Sequence, residues 1–388
     1  MVIFRMKLLE TNGCHPVNNR RRIAIVIDRI DRWNGAGTEH HIAQLLGSLD
    51  RNRYDPAIFV FAPSEHPLPS NLGIPIVVIP PGDPRHHSRL FWNLTSSLRR
   101  FHPDIVQIFF RDATYLGTVA AMLAGVPAVV LCRRDIAEPS AWWEFPAMRF
   151  ISKISDCWVC NSATVRDWVV SKRWAKPDRI TVLPNCVDLD HFHPPSAAER
   201  LACRRKLGLP LDATIMLSVA NLRTVKGLET ILEATRLVQN EVPNVQVFLI
   251  GEGPERERLQ SKVQSLQLQE TVFLVGAQRD VAPWLMAADI GLLASYSEGS
   301  SNALLEYLAT GLPSVISAIP ANLELIEGVL FPPGDPQSMA HKIVSLWNDV
   351  GFRQELSRRY RTSAMQYSRE KFTQQINDFY DSLLAERS

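Results

Sequence analysis

The sequence predicts an α/β protein built from two doubly wound, Rossmann-like domains that face one another across a cleft. Three observations predict it. Short β-branched apolar runs alternate with amphipathic helical patterns from one end of the chain to the other, as in parallel sheets assembled from βαβ units. The runs are nearly continuous in apolar residues, which is what strands covered by helices on both faces require. The alternation is broken once, by the polar, proline-bearing stretch NCVDLDHFHPPSAAER, and then restarts, so the 388 residues divide into two cores of ordinary size.

Residues 1–21 read as a flexible leader, with a short apolar stretch but no small-residue cleavage site of the secretory kind. The first domain, residues 22–190, has strands expected at 22–27, 57–62, 74–80, 104–110, 127–132, 156–160 and 179–184. Residues 191–208 are the expected linker, because the chain turns proline-rich and polar there. The second domain, residues 209–367, has strands expected at 213–220, 245–251, 271–276, 289–295 and 313–317. The last stretch, 368–388, places Phe372, Ile376, Phe379, Tyr380, Leu383 and Leu384 at helical spacing on one apolar face.

Composition narrows the function. Apolar residues make up 46% and charged residues 21%, and no apolar run approaches the roughly 20 residues a membrane span needs. The expected location is the cytoplasm, either free or peripheral at the inner membrane face. A net charge of +2 argues against a dedicated nucleic-acid binder. Residues 1–200 carry 24 Lys and Arg against 19 Asp and Glu, and the rest carry 18 against 21. An ordinary solvated surface accounts for that, with contact to an anionic membrane as the alternative. Cys157 and Cys160 form a C-x-x-C inside a strand-like run, with no second pair or nearby His to complete a zinc site. All six cysteines read as free thiols of a reducing compartment.

Ligands of such sheets sit beyond the carboxyl ends of the strands, and three loops there carry chemistry. In DRIDRWNGAGTEHH, Gly35 and Gly37 precede a helix starting near Thr38, so backbone amides can approach an anion. In SVANLRTVKGLETILEA, Arg223 and Lys226 precede a helix starting near Gly227, two cations beside a helix N-terminus being suited to a diphosphate. In SYSEGSSNALLEYLATGLPSV, Glu298 and Glu306 bracket Gly299, Ser300, Ser301 and Asn302, whose amides form a phosphate cradle at a helix start. One carboxylate is then free to bind sugar hydroxyls and the other a ribose. His40 and His41 sit just inside the first helix, His41 being an acceptor-side candidate, and His86 and His87 follow in a separate loop.

Taken together, SEGSSNALLEYLATGLPSV, LSVANLRTVKG, LIGEGPERERL, LVGAQRDVAPWLMAADI and LFPPGDP resemble glycosyltransferase family 4 in content and order over nearly the whole chain. The resemblance implies the two-domain GT-B architecture, with the last helix crossing back onto the first domain. It implies a retaining glycosyltransferase that moves a sugar from a nucleoside diphosphate sugar to a glycan or lipid-linked acceptor in polysaccharide or glycolipid synthesis. By that resemblance Glu298 contacts the transferred sugar, Glu306 the ribose, Lys226 the diphosphate, Gln278 the base through its backbone, and Gly37 the donor phosphate. The chain departs from the family at Asn221, where an arginine is common, which makes Arg223 the substitute cation. It also departs in reading Ala36-Gly37 for a Gly-Gly pair, and in Arg133, Arg134 and Asp135, which stand where many members place a His. These three are further acceptor-side candidates, an interdomain salt bridge being the other reading. No Asp-x-Asp follows a strand, so no metal or other cofactor is required beyond the donor itself. The competing readings are a GT-B epimerase or phosphorylase and a non-catalytic nucleotide-sugar-binding partner. Glu298, Glu306 and Lys226 argue against the latter.

Overall fold

The computed structural model describes residues 20–29, 37–62, 73–80, 87–138 and 141–385. The first half runs β1 (Arg21–Ile27), α1 (Gly37–Ser48), β2 (Tyr54–Val60), β3 (Ile76–Val78), α2 (His87–Phe101), β4 (Ile105–Ile108), α3 (Arg111–Ala124), β5 (Ala128–Arg133), α4 (Glu144–Ile154), β6 (Cys157–Cys160), α5 (Ala163–Ser171) and β7 (Ile180–Val182). After α6 (Ala197–Lys206) follow β8 (Thr214–Val219), α7 (Leu228–Val238), β9 (Val245–Ile250), α8 (Arg256–Ser265), β10 (Val272–Gly276), α9 (Ala282–Ala287), β11 (Ile290–Leu293), α10 (Asn302–Ala309), β12 (Ser314–Ser317), α11 (Pro320–Leu323) and β13 (Val329–Phe331). Three helices close the chain: α12 (Pro336–Asn348), α13 (Val350–Ala364) and α14 (Arg369–Ala385).

Both sheets are parallel, in the orders β3-β2-β1-β4-β5-β6-β7 and β10-β9-β8-β11-β12-β13. The winding reverses between β1 and β4 and between β8 and β11. At such switch points the loops part and leave a crevice beyond the strand ends. Continuous apolar runs become strands buried on both faces: every residue of β4, β11 and β12 is buried. Strands at the sheet edges are shorter than their sequence signals, as at β3 and β7, since pairing on one side only holds fewer residues.

Two differences from expectation have local causes. β13 pairs with β12 at the sheet edge, beyond the last strand expected at 313–317. Three residues carry too little periodicity to register, and the pairing partner supplies the order. Residues of the expected linker form α6, capped by Ser196, whose Oγ accepts from Glu199 N at 3.2 Å while the Glu199 carboxylate accepts from Ser196 N at 2.8 Å, a capping box. The buried Arg204 then donates to Ala287 O, Ala213 O and Asp289 Oδ2 at 3.0, 3.0 and 2.7 Å. That seats the helix on the second sheet's domain.

The last helix returns to the first domain. Phe372, Ile376, Phe379, Tyr380 and Leu383 of α14 join the cluster formed by Ile42, Leu45 and Leu46 of α1, each large apolar side chain worth about 1.5–3 kcal/mol when fully buried. Tyr54 Oη donates to Asp381 Oδ1 at 2.8 Å and fixes the helix's far end. Cys157 packs toward this cluster and Cys160 toward the one on the opposite face of the sheet, so the C-x-x-C thiols diverge. Among the described residues, no helix is long and apolar enough to cross a membrane.

Candidate functional site

The loops after β8 and β11 meet at the second sheet's switch point. A 3-10 turn over Thr224–Lys226 carries the first of them. Gly227 follows at φ 60°, where a Cβ would lie 2.1 Å from Ala294 O at the end of β11, so only glycine lets the two loops close. Tyr296 N donates to Val225 O at 2.8 Å and Leu222 N to Glu252 O at 2.9 Å, bracing the turn from both sides. On this frame Lys226 Nζ lies 2.6 Å from Glu298 Oε1, and Ser295 Oγ donates to the same oxygen at 2.7 Å. Glu298 is 9% exposed in its side chain. The sequence assigned these two residues to different parts of the donor, and the structure brings them into direct contact. Arg223 and Asn221 are exposed on the same loop.

Gly299, Ser300 and Ser301 lead into α10. Ser301 caps it, its Oγ accepting from Leu304 N at 3.3 Å. A Cβ on Gly299 would lie 2.0 Å from Arg134 O of the first domain, so the two domains touch here backbone to backbone. One helix turn along, Asn302 and Glu306 share a face of α10 and line a cavity of about 200 Å³ with His40, Asp188, His191 and Arg369. Glu306 is half-buried where it lines the cavity, and the loss of solvent there, with the Asp280 charge adding to it, pushes its pKa up to about 8. Gly37, at the start of α1, faces Asn302 from the other domain: a Cβ there would lie 3.6 Å from Asn302 Nδ2. The N-termini of α1 and α10 therefore converge, and their dipoles both favour an anion between them. Gln278 is half-buried in the segment after β10. Nearby, Asp280 Oδ1 lies 2.8 Å from His191 Nε2 of the crossing segment.

The acceptor-side candidates separate. Arg133 is held within its own loop: Nη2 reaches Ala137 O at 2.6 Å and Asp135 Oδ1 at 2.8 Å, and the guanidinium sits over Trp168 at 4.8 Å. Its pair with Asp135 is thus a local one, not a bridge between domains. Arg134 turns toward the crossing segment and donates through Nη2 to Asn185 Oδ1 at 2.8 Å. Burial brings its pKa down to about 10, so it stays charged at neutral pH. Asn185 Nδ2 then donates to Asn302 Oδ1 at 2.5 Å. Sequence reasoning passed over Asn185, which lies in a stretch without periodicity at the entrance to the linker. His41 is turned inward, 2% exposed between Phe109 and Phe372, and burial holds its pKa well below the ordinary histidine value. The helical register that buries His41 puts its neighbour His40 on the cavity. Gly35, Ala36, His86 and Cys14 lie outside the described residues.

Comparison with known proteins finds glycosyltransferases. The family described as Glycosyltransferase Family 4 matches residues 35–191, and that described as Glycosyl transferases group 1 matches residues 213–349. The chain is 28% identical over 275 residues to the UDP-Gal:alpha-D-GlcNAc-diphosphoundecaprenol alpha-1,3-galactosyltransferase of Escherichia coli, covering 66% of this chain and 70% of that one. It is 28% identical over 251 residues to the lipopolysaccharide core biosynthesis glycosyltransferase LpsE of Rhizobium meliloti, covering 63% and 68%. Among solved structures, Anabaena HepE in complex with UDP superposes with a TM-score of 0.81 at 19% identity, covering 93% of this chain and all of that one, a likeness of fold.

Proposed function

The chain belongs to glycosyltransferase family 4, and we propose that it transfers a sugar from a UDP-sugar to a lipid-linked or polysaccharide acceptor with retention of anomeric configuration. It has the GT-B fold of that family and its glycosyltransferase activity. The observation that carries the finer reading is the contact between Lys226 and Glu298 at 2.6 Å, in the loops that lead into α7 and α10. A nucleoside diphosphate sugar needs a cation for its phosphates and an acceptor for its sugar hydroxyls on either side of one C–O–P linkage, and adjacency of the two groups matches that chemistry. UDP is favoured because HepE was crystallised with it, and a lipid-linked acceptor because the Escherichia coli relative is named for a diphosphoundecaprenol substrate.

In this reading Glu306 and the cavity beside it take the ribose, and the Gly299–Asn302 amides, Lys226 and Arg223 take the diphosphate. The bond from the sugar's anomeric carbon to the phosphate oxygen breaks with its electron pair going to the diphosphate. The acceptor hydroxyl oxygen bonds to the same carbon, and its proton passes to the departing phosphate oxygen. Fixed dipoles and cations aimed at the charge that develops there are the largest catalytic lever such a site has, each donor being worth about 2.7–4 kcal/mol where measured. Arg134 supports the site through Asn185 from the acceptor side. Thermal-shift titration with UDP-, GDP- and ADP-sugars, followed by incubation with the stabilising donor and product analysis, tests the reading. Stabilisation by GDP- or ADP-sugars alone, or release of an isomerised donor with no transfer, rejects it.

A further inference from the structure

Apart from the donor loops, Glu324 makes a further contact between the two domains. The first amides of a helix have no partner within it. At the start of α5, Val165 N donates to Ser162 Oγ at 3.1 Å, which leaves the amides of Ala163 and Thr164. Both donate to the Glu324 carboxylate of the other domain, Ala163 N to Oε2 at 2.8 Å and Thr164 N to Oε1, and Thr164 Oγ1 donates to Oε1 as well. The carboxylate stands on a fixed base. Glu324 closes α11, its N donating to Pro320 O at 3.1 Å. In that helix the fully buried Asn322 donates through Nδ2 to Ser317 O at 3.0 Å, and Leu325 and Ile326 are buried just beyond it.

The order of the strands relates this contact to the cleft. Gly299 follows β11 and meets the carbonyl of Arg134, which follows β5. Glu324 follows β12 and meets α5, which follows β6, so its contact lies one strand further along in both sheets. Asn161, just ahead of α5, ties the two together: its Nδ2 donates at 3.3 Å to the same Arg134 carbonyl that Gly299 meets. We infer that Glu324 is a positioning residue, which docks α5 on the second domain and through Asn161 holds the Arg134 loop against the donor loop at the spacing that sugar transfer needs. One point of contact leaves the domains free to rotate. A second, with the crossing segment near Asn185 as the third, removes that freedom. Glu324 is exposed, so water and salt weaken its hold on the helix end. Such a link steadies the domains during the reaction and yields when donor or product has to pass.

Small-angle scattering and kinetics on the full chain test the inference, which rests on the proposed UDP-sugar reaction only in its kinetic arm. Without ligand, Glu324→Ala should have a larger radius of gyration than the wild type. Its kcat at saturating UDP-sugar should fall on the order of tenfold, as misplacement at a reacting centre causes, while donor KM and UDP affinity, the control for folding, hold. Thr164→Val should move radius and rate in the same direction from the other domain. Glu324→Gln keeps an oxygen for the amides but no charge, and should recover part of the rate. Raising salt from about 0.1 M to about 1 M shortens the reach of charge from roughly 10 to roughly 3 Å, and should bring the wild-type kcat down toward that of Glu324→Gln. An unchanged radius in Glu324→Ala overturns the inference, and so does a loss of kcat matched by an equal loss of UDP affinity. A larger radius in Glu324→Ala, with no UDP binding by the wild type, sustains the link between the domains and rejects the UDP reading instead.

Discussion

Asn185 joins the two domains through a single amide: it donates to Asn302 Oδ1 at 2.5 Å and accepts from Arg134 Nη2 at 2.8 Å. At 3% exposure it has no water to replace either partner. Asn185→Leu should lower kcat on the order of tenfold or more, because orphaning a buried charged donor costs about 1–3 kcal/mol, and should leave donor KM nearly as it is. Asn185→Asp still accepts from Arg134, and from Asn302 once that amide turns over, so it should recover most of the rate. Steady-state kinetics with donor and acceptor varied separately checks this, and equal losses in the two variants would remove the positioning role.

Gly299 has no room for a side chain against the first domain. With a methyl group 2.0 Å from Arg134 O, Gly299→Ala should force the domains apart at this point and reduce transfer by roughly tenfold or more, as ~1 Å of misplacement at a reacting centre does. Nucleoside diphosphate affinity should fall less than the rate. Calorimetry alongside kinetics on one preparation makes the comparison.

Lys226→Ala removes a charge-assisted contact and should weaken UDP and UDP-sugar alike by about 1.5–3 kcal/mol. If Arg223 substitutes for the arginine missing at Asn221, Arg223→Ala should slow turnover far more than Asn221→Ala. Equal, small effects of those two changes would discard the relocated cation.

The two glutamates separate by ligand. Measured above pH 8, where its carboxyl is ionised, Glu306→Gln should weaken UDP itself by roughly 1–3 kcal/mol through loss of a carboxylate that accepts two hydroxyls, whereas Glu298→Gln should spare UDP and impair transfer. The assignment fails if Glu298→Gln is the more damaging to UDP binding.

Glu306 also predicts a pH dependence of stability. Loss of solvent pushes its pKa from the ordinary 4.5 of the unfolded chain up to about 8 in the fold, so between those values the native state holds the extra proton. Stability then falls as pH rises through that window. Glu306→Gln cannot ionise, so the difference in melting temperature, variant minus wild type without ligand, should grow from pH 5 to pH 8 and level off above. A constant difference over that range would show that the native state does not hold that proton.

Much of this was legible in the sequence because the signals are local. Apolar runs such as IGLL in β11, the glycines beside Lys226 and Glu298, and the apolar stripe of α14 each act through a few neighbouring residues, so spacing alone reports them. The family resemblance drew on the same short motifs. What only the tertiary structure decided are contacts between distant segments. The ion pair of Lys226 with Glu298, the closure of Gly299 on Arg134, and the bridge from Arg134 through Asn185 to Asn302 join residues far apart in the chain, and no periodicity encodes them. The inward turn of His41 follows from which face of α1 meets Phe109 and α14. Which face of α4 turns outward is decided only when Met148 and Ile151 take the other into the core. A helix with apolar residues on both sides has no preferred interior until the sheet against which it packs supplies one.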